Sequence, residues 1–257
     1  MAIKACVLAS GSKGNVVYIE TPKHKILVDI GTNLKYISER LKEIDIDPSS
    51  INYIFISHTH SDHTSALKNF VKKYQPTVCV SQGLFLELPE IEEYNRILIY
   101  EDDFEIDELS ISVIKTSHDA PDSKSFVFTY DKKSIVYLTD TGYINNKYFK
   151  KLHNKELYIF ESNHDIEMLL NGKYPKWLKS RVYGDSGHLS NKAAAFYLAK
   201  LVGDNTKKII LHHLSEENNS EEKALETIKE TFIEYNIKFI DISCAKPKEK
   251  SEVITLW

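Results

Sequence analysis

The chain has 257 residues, 42% of them hydrophobic and 27% charged, which is enough apolar material to bury a full-sized core. This composition excludes a disordered chain, a collagen-like repeat and a low-complexity scaffold, and no apolar run approaches the roughly 20 residues that cross a bilayer. The formal net charge of −4 argues against a generic polyanion-binding protein.

The first half of the chain alternates predicted strands with predicted helices. Apolar residues at helical spacing predict helices that begin at Leu34 and after Thr64. Alternating or β-branched runs predict strands over residues 4–10, 15–21, 25–30, 51–57, 76–80 and 109–116. A polar run, residues 58–63, separates the fourth of these strands from the second helix.

The second half repeats this arrangement. A hairpin is predicted over residues 125–130 and 134–139. The remaining predicted elements are a Lys-rich helix, a strand over 157–160, a helix capped by Asn163 or Asp165, a helix over 193–201, a strand over 208–214, a helix over 221–235 and a strand over 237–242. This order predicts an α/β fold, a sandwich of mixed sheets covered by helices on both sides. Because no Pro/Gly/Ser-rich linker interrupts the chain, we expect residues 1–257 to form one domain.

The charges are unevenly distributed along the chain. Residues 87–108 hold ten acidic side chains and one basic, Arg96, which leaves 32 basic and 27 acidic residues elsewhere. Basic residues gather in two groups, Lys147, Lys150, Lys151 and Lys155, then Lys173, Lys176, Lys179 and Arg181. This asymmetry permits an anionic substrate on one side of the molecule, and ordinary solvated helix faces are the alternative.

The cysteines and the N-terminus favour a cytoplasmic protein. Cys6, Cys79 and Cys244 are an odd number, lie far apart and sit among apolar residues, so we expect buried thiols. Residues 1–10 lack the pattern of a signal peptide. Richness in Lys, Ile and Asn is typical of an AT-rich bacterial genome.

Residues 58–63 read His-Thr-His-Ser-Asp-His and form the densest set of possible metal ligands in the sequence. His58 and His60 can point into one site, and Asp62 and His63 can reach a second site from the first turn of the following helix. Imidazole and carboxylate ligands suit zinc, manganese and iron. A lone histidine is usually structural, but this cluster predicts a metal site.

Further ligands are expected from other strand ends. His118, Asp140 and His213 each lie at the C-terminal end of a predicted strand, where α/β folds bind ligands. Together with residues 58–63 they supply five histidines and two carboxylates to one edge of the fold.

These residues resemble the motifs of the metallo-β-lactamase fold: His-x-His-x-Asp-His, a later His, the Asp of Thr-Asp-Thr-Gly and a final strand-end His. The resemblance runs from residues 28–31 to His213. In more detail, the sequence is similar to the YycJ/WalJ family of bacterial metallohydrolases. The similar segments are residues 10–15, 58–64, 161–165, 187–191 and 213–219. The resemblance implies a four-layer αββα sandwich, two divalent metal ions and a 5′→3′ exonuclease that acts on DNA.

The resemblance also implies a ligand set: His58, His60 and His118 for one ion, Asp62, His63 and His213 for the other, with Asp140 bridging. The ions would be zinc, manganese or iron, and Asp29 would orient the histidine loop from behind. His213 is expected to be the ligand because it precedes Leu-Ser, and strand alternation places His212 on the opposite face. A bulge there would exchange the two roles.

A proton donor is implied by similarity in order and spacing to the RNase Z branch of this fold, where a Glu and a His act as a pair. Here His188 would protonate the departing oxygen while Glu161 holds its tautomer. The alternative is that His188 merely neighbours the N-cap of the helix near Ser190. His164 is expected either to contact substrate or to cap a helix.

The sequence fits the RNA-processing branches of this fold less well. Only 22 positions separate His118 from Asp140, too few for the tRNA-binding arm of RNase Z. The 73 positions from Asp140 to His213 leave no room for the large inserted domain of RNase J-type enzymes.

The expected activity is therefore phosphodiester hydrolysis of DNA, with a hydroxide that bridges the two metals as nucleophile. Asp62, His188 and Glu161 are the expected catalytic residues. Ser12 and Asn15 lie in a Gly-rich segment that either binds a substrate phosphate or forms a tight turn. The alternatives are a hydrolase of small esters, thioesters or cyclic phosphodiesters, and a non-catalytic protein with structural metals. No membrane partner is expected, and the oligomeric state stays open.

Overall fold

The computed structural model describes residues 2–238 and 240–257, and within them the strands form two seven-stranded sheets. Six strands of the first sheet follow one another in the chain: β1 (Ile3–Ala9), β2 (Val16–Glu20), β3 (Lys25–Val28), β4 (Tyr53–Phe55), β5 (Thr77–Ser81) and β6 (Ile97–Tyr100). The second sheet contains β7 (Phe104–Ile106), β8 (Leu109–Lys115), β9 (Lys124–Tyr130), β10 (Lys133–Leu138), β11 (Leu157–Glu161), β12 (Lys208–His212) and β13 (Asp241–Cys244). The last strand, β14 (Ile254–Leu256), returns to the first sheet beside β1.

Both sheets are mixed, and each has a parallel half. In the first sheet β3, β4, β5 and β6 are parallel neighbours. In the second sheet β10, β11, β12 and β13 are parallel neighbours. Since parallel strands end at the same edge of a sheet, the residues that follow β3 and β4 lie together, as do those that follow β10, β11 and β12.

Helices connect many of the strands, and six of them cover the outer faces of the sheets. Their bounds are α1 (Leu34–Lys42), α2 (Ser61–Thr64), α3 (Leu67–Tyr74), α4 (Gln82–Leu86), α5 (Phe149–Leu152), α6 (Ile166–Asn171), α7 (Lys176–Tyr183), α8 (Asn191–Leu201) and α9 (Glu221–Glu234). Short 3₁₀ helices span Pro48–Ser50, Pro89–Ile91 and Asn146–Tyr148.

Three buried apolar clusters define the layers. The central cluster joins the inner faces of both sheets and includes Val28, Phe55 and Phe126. A second cluster packs α1, α3 and α4 on the outer face of the first sheet. A third packs α5, α8 and α9 on the outer face of the second sheet. The order helix, sheet, sheet, helix confirms the expected αββα sandwich.

Several predicted bounds need correction. The strand expected over 208–214 ends at His212, and the strand expected over 237–242 includes Phe239, which lies outside the described residues; β13 is described only from Asp241. The helix expected after Thr64 is α3, which begins at Leu67, and a separate short helix, α2, ends at Thr64. Asp165 rather than Asn163 caps α6, since its side chain accepts from Met168 N. Cys6 and Cys79 are buried as expected, but Cys244 is partly exposed.

Residues with left-handed backbone end three of the strands that lead to the site. Asp29 after β3, Asp140 after β10 and His213 after β12 have φ of 58°, 50° and 56°. Non-glycine residues rarely adopt this conformation, and when they do, a tertiary or functional requirement holds them there. All three side chains contact residues that follow other strands.

Candidate metal centre

The histidine loop, residues 58–63, begins three residues after β4 and includes the first three residues of α2. Ile30 N donates to His63 O at 2.8 Å, which ties the loop to the chain after β3. Gly31 lies beneath the loop, and a Cβ at this position would come within 1.5 Å of Asp62 O. A residue without a side chain at this position lets the loop approach so closely.

The first group of candidate ligands is His58, His60 and His118. His118 Nε2 lies 3.2 Å from His60 Nδ1, and the rings of His58 and His118 are 5.0 Å apart. One nitrogen from each histidine lies within 4.8 Å of the others. Burial lowers the pKa of all three, which favours the neutral imidazole that binds metals.

The second group is Asp62, His63 and His213. Asp62 Oδ2 lies 3.4 Å from Nε2 of His63 and 3.4 Å from Nε2 of His213. His63 and His213 are buried, whereas Asp62 retains partial exposure toward the cavity described below.

Asp140 lies between the two groups. Its Oδ2 is 2.7 Å from His63 Nε2 and 3.6 Å from His58 Nε2, and its Oδ1 is 3.3 Å from His213 Nδ1. The buried carboxylate therefore faces histidines of both groups, which is the position that a ligand shared between two ions requires.

Unsatisfied polar atoms at this centre fit a bound cation. Within the described residues, Nε2 of His58 has no hydrogen-bond partner, and the buried carboxylate oxygens of Asp140 face imidazole nitrogens of both groups. His63 Nδ1 donates to Asp29 Oδ2 at 2.7 Å, so in the neutral ring the lone pair of Nε2 faces the Asp140 carboxylate. A divalent cation would satisfy these atoms and relieve the repulsion, and five imidazoles with two carboxylates suit zinc, manganese or iron.

The charges around the second group of candidate ligands also favour a bound cation. Burial alone would lower the pKa of His213, but Asp140, Asp62 and Glu161 raise it to about 10. Burial would also lower the pKa of His63, and the neighbouring carboxylates raise it well above its usual range. The neighbouring carboxylates therefore create a negative potential at these rings, and a negative potential also favours a bound cation.

Asp29 lies behind the centre and organises it. Its Oδ2 accepts hydrogen bonds from His63 Nδ1 at 2.7 Å, Ser57 Oγ at 2.7 Å and Tyr137 OH at 2.6 Å. Its Oδ1 accepts from Ser57 N at 2.8 Å. The Asp29 carboxylate thus contacts Ser57, which immediately precedes the histidine loop, and the ring of His63, which is the last histidine of the loop. Ser57 and Tyr137 were missed from the sequence because neither belongs to a recognisable ligand motif.

The Gly-rich segment before β2 forms a tight turn, in which Gly14 N donates to Gly11 O at 2.9 Å. The two glycines have φ of 149° and 111°, values that favour glycine. Asn15 also reaches the centre, since its Nδ2 lies 3.0 Å from His63 Nε2. Ser12 lines the neighbouring cavity.

His188 and Glu161 form a pair beside Asp140. His188 Nδ1 lies 2.7 Å from Glu161 Oε1, so Nε2 is the nitrogen left for the cavity that His188 lines. Glu161 Oε2 accepts from Thr141 N at 3.0 Å and Leu189 N at 3.1 Å. Burial would lower the pKa of His188, but Glu161 and Asp140 raise it to about 9; burial would raise the pKa of Glu161, but His188 lowers it to about 2.

Asp140, Glu161, His188 and His213 also lie close enough to form a further group of candidate ligands. Glu161, however, already accepts hydrogen bonds from two backbone N–H groups and from the His188 ring. We therefore regard the pair as a hydrogen-bonded unit next to the candidate metal ligands.

His164 does not cap a helix. Its side chain is fully buried, and neither ring nitrogen has a hydrogen-bond partner in the described part of the chain. The cap of α6 is Asp165, whose Oδ1 accepts from Met168 N at 2.9 Å. Contact of His164 with substrate stays a prediction.

His213 joins the cluster for a different reason than expected. The sequence predicted that it lies within a strand and that alternation separates it from His212. Instead β12 ends at His212, and the left-handed backbone of His213 turns its ring toward Asp140. His212 packs on the Tyr137 ring at 5.6 Å, and in residues 2–238 and 240–257 its nitrogens find no hydrogen-bond partner.

A cavity of about 200 Å³ opens beside the cluster, lined by Asp62, Asp140, His188 and His213 among others. Its opposite wall is formed by α7 and the residue two positions before it: Tyr174, Leu178, Arg181 and Val182. Arg181 Nε donates to Asp119 Oδ2, and Asp119 Oδ1 lies 3.7 Å from His60 Nε2. Helix α7 was not predicted, because it has no buried residue and therefore no apolar periodicity.

Comparison with known proteins agrees with this architecture. The family model of the metallo-beta-lactamase superfamily matches residues 9–212. The fold is similar to that of the metallo-beta-lactamase fold protein YhfI from Bacillus subtilis, with a TM-score of 0.71 over 99% of this chain and 100% of that one; at 14% identity this likeness concerns the fold alone.

Two relatives are closer in sequence. The exodeoxyribonuclease WalJ of Streptococcus pneumoniae serotype 2 is 36% identical over 87% of this chain and 86% of its own length. The exodeoxyribonuclease YycJ of Bacillus anthracis is 32% identical over 91% of this chain and 90% of its own length. The chain therefore belongs to the metallo-β-lactamase superfamily and is an enzyme of its WalJ/YycJ family.

Membership of this superfamily implies divalent metal ions, in agreement with the donor set described above. Of the helices within residues 2–238 and 240–257, none combines the length and the apolar character needed to cross a membrane.

Proposed function

We propose that the chain is a two-metal phosphodiesterase that removes nucleotides from DNA as a 5′→3′ exonuclease. The observation that carries this proposal is the His188–Glu161 pair at 2.7 Å, directly beside the seven candidate metal ligands and open to the same cavity. The relatives named exodeoxyribonuclease support DNA as the substrate. The polarity rests on the family resemblance.

The proposed ligands are His58, His60 and His118 for one ion and Asp62, His63 and His213 for the other, with Asp140 shared. When bound, such a pair of cations supplies a water of lowered pKa and stabilises negative charge at phosphorus. We propose zinc or manganese, with iron as the further candidate. Asp29 positions His63 through the hydrogen bond to Nδ1, and Asn15 contacts the same ring from the side of the turn.

His188 is the proposed proton donor to the departing sugar oxygen. Its Nδ1 is engaged by Glu161, which keeps Nε2 directed to the cavity and stabilises the protonated ring. Asp140 Oδ1 lies 3.0 Å from the same Nδ1, so the donor is held next to the reacting centre. An alkoxide is a poor leaving group, and a positioned acid therefore contributes about 10²- to 10⁴-fold in rate.

Arg181 gives the cavity a positive wall opposite the carboxylates. Among the described residues that line this cavity it is the single Arg or Lys. Its guanidinium bonds Asp119 in the structure and can exchange that partner for a substrate phosphate. Such an exchange fits a polyanionic substrate better than a neutral ester.

We also propose that residues 1–257 act as one domain in the cytoplasm. The unbroken core between the two sheets supports the first statement, and the free thiols of Cys6, Cys79 and Cys244 support a reducing compartment.

The test is hydrolysis of 5′- and 3′-end-labelled DNA, single-stranded and duplex, by protein loaded with manganese, zinc or magnesium. We expect mononucleotides released from the 5′ end. His188→Ala should slow this release about 10²- to 10⁴-fold, whereas the exposed His153→Ala, which makes the same change far from the cavity, should leave it unchanged.

Two results would contradict the proposal. One is absence of DNA hydrolysis with all three metals. The other is turnover of a small chromogenic ester or cyclic phosphodiester that His188→Ala does not slow, since that outcome favours a small-molecule hydrolase on the same ligands.

A further inference from the structure

A second cavity, of about 230 Å³, lies next to the candidate metal centre and has no part in the chemistry above. Lys115, Ser117, Tyr143 and Lys147 are among the residues that line it. It contains none of the candidate metal ligands, so it is distinct from the cavity that His188 lines.

The two cavities are joined by two loops. Ser117 immediately precedes His118, and Tyr143 follows Asp140 by three residues. The loops are bonded to each other: Ser117 N donates to Thr141 Oγ1 at 3.0 Å, and Gly142 N donates to Ser117 O at 2.9 Å. The lining residue Ser117 is therefore next in the chain to the candidate ligand His118, and Tyr143 is on the loop that follows Asp140.

The second cavity is lined by two lysines that have no ion-pair partner among the described residues. Lys115 and Lys147 are exposed, and neither forms an ion pair with any described residue. Their neighbours do: Lys124 pairs with Asp122, and Lys151 pairs with Asp103. Lys147 is one of the first lysine group identified in the sequence, and within that group it is the one that lines this cavity.

The remaining lining suits a nucleotide. The Lys147 ammonium lies 4.9 Å from the centroid of the Tyr148 ring, which holds the lysine at the cavity. Tyr143 is 43% exposed and offers a ring for stacking, and Ser117 and Asn145 offer polar groups. Paired cations with an exposed aromatic ring are the elements with which proteins bind single nucleic-acid strands.

We propose that this cavity is a subsite for a backbone phosphate of the substrate strand, held by Lys115 and Lys147 while the attached base stacks on Tyr143. The inference rests on the proposed function and extends it: the enzyme would prefer a strand long enough to fill both cavities over a substrate with a single phosphodiester.

The test measures binding of a fluorescent single-stranded DNA of about 12 nucleotides in EDTA, where metal-dependent hydrolysis stops. Lys115→Ala and Lys147→Ala should each weaken binding about 3- to 10-fold and lower the salt-dependence slope by about 1. Lys150→Ala is the matched control, because Lys150 is exposed, lies three residues from Lys147 and lines neither cavity.

Kinetics of the loaded enzyme give the second readout. Lys147→Ala should raise KM for the oligonucleotide by a similar factor and leave hydrolysis of a small chromogenic phosphodiester unchanged. If Lys115→Ala and Lys147→Ala match Lys150→Ala while the wild type still digests DNA, the subsite is wrong and the proposed function stands. If the wild type neither binds nor digests DNA, both are overturned.

Discussion

Asp29 shows how one buried carboxylate prepares a metal ligand. It has no direct contact with Asp140, yet it fixes the proton of His63 on Nδ1 and so leaves Nε2 to face the centre. Four hydrogen bonds compensate for its burial. The positive φ of Asp29 turns the side chain away from the path of β3 and toward these donors.

Asp29→Asn should therefore weaken metal binding about 10- to 100-fold, because the amide loses the charge that supports His63 and cannot accept all four bonds. Asp45→Asn is the control, since Asp45 has the same left-handed backbone, with φ of 60°, but is exposed. The measurement is competition for zinc against a chelating dye. Equal affinities of the two variants would show that Asp29 has no role at the metal site.

At the level of residues, the sequence predicted the members of the cluster better than their geometry. All seven candidate ligands come together because strand ends in mixed sheets meet at one edge. This rule can be applied to strands that are predicted from the sequence alone. The turn that directs His213 was not predictable, since nothing in His-His-Leu-Ser requires a left-handed residue. Arg181 and Asp119 were missed as a pair because their contact depends on where α7 lies.

The histidine loop is the element on which the site depends most, and its position is set by contact with Gly31. The backbone of Asp62 occupies the space in which a Cβ at Gly31 would lie. Displacing this loop moves four of the seven candidate ligands together. A small steric change below the loop should thus affect the whole centre.

Gly31→Ala should reduce stability by about 1–3 kcal/mol through overpacking and should lower metal affinity as well. Gly184→Ala makes the same change where an added Cβ meets its nearest atom, Ser180 O, at 3.0 Å, and its effect should be smaller. Thermal unfolding with and without zinc measures both quantities. A Gly31→Ala protein with wild-type stability and zinc affinity would contradict the proposed packing.

Elements with strong apolar periodicity were predicted, and elements without it were not. α1, α8 and α9 each bury two or more residues against a sheet, and their patterns are visible in the sequence. α7 buries none, and β6 and β7 are short strands within the acidic stretch. Their positions follow from tertiary contacts, which a local pattern does not contain.

On the scale of the whole molecule, the acidic stretch surrounds two edge strands. Residues 87–108 contain β6 and β7, which are edge strands of the first and second sheets. β6 carries no charged side chain and β7 carries one, Glu105, so the other nine acidic residues of this stretch lie in the turns and the 3₁₀ helix around the two strands. The positive charge that remains elsewhere includes Arg181, Lys115 and Lys147, which line the two cavities.

The two sheets contribute different parts of the candidate centre. The first sheet supplies the histidine loop and Asp29, and the second supplies His118, Asp140 and His213. The ligand groups therefore form only when the sheets pack on each other, so a bound metal should stabilise the packing of one sheet on the other. Because both sheets are proposed to hold the pair of metal ions, one measurement on the metal-loaded protein tests whether the pair is present.

That measurement is anomalous X-ray diffraction at the zinc and manganese absorption edges from crystals of the metal-loaded protein. The account predicts two peaks per chain, one among His58, His60 and His118 and one among Asp62, His63 and His213, with Asp140 in contact with both. No peak, a single peak, or peaks only at surface carboxylates would contradict it.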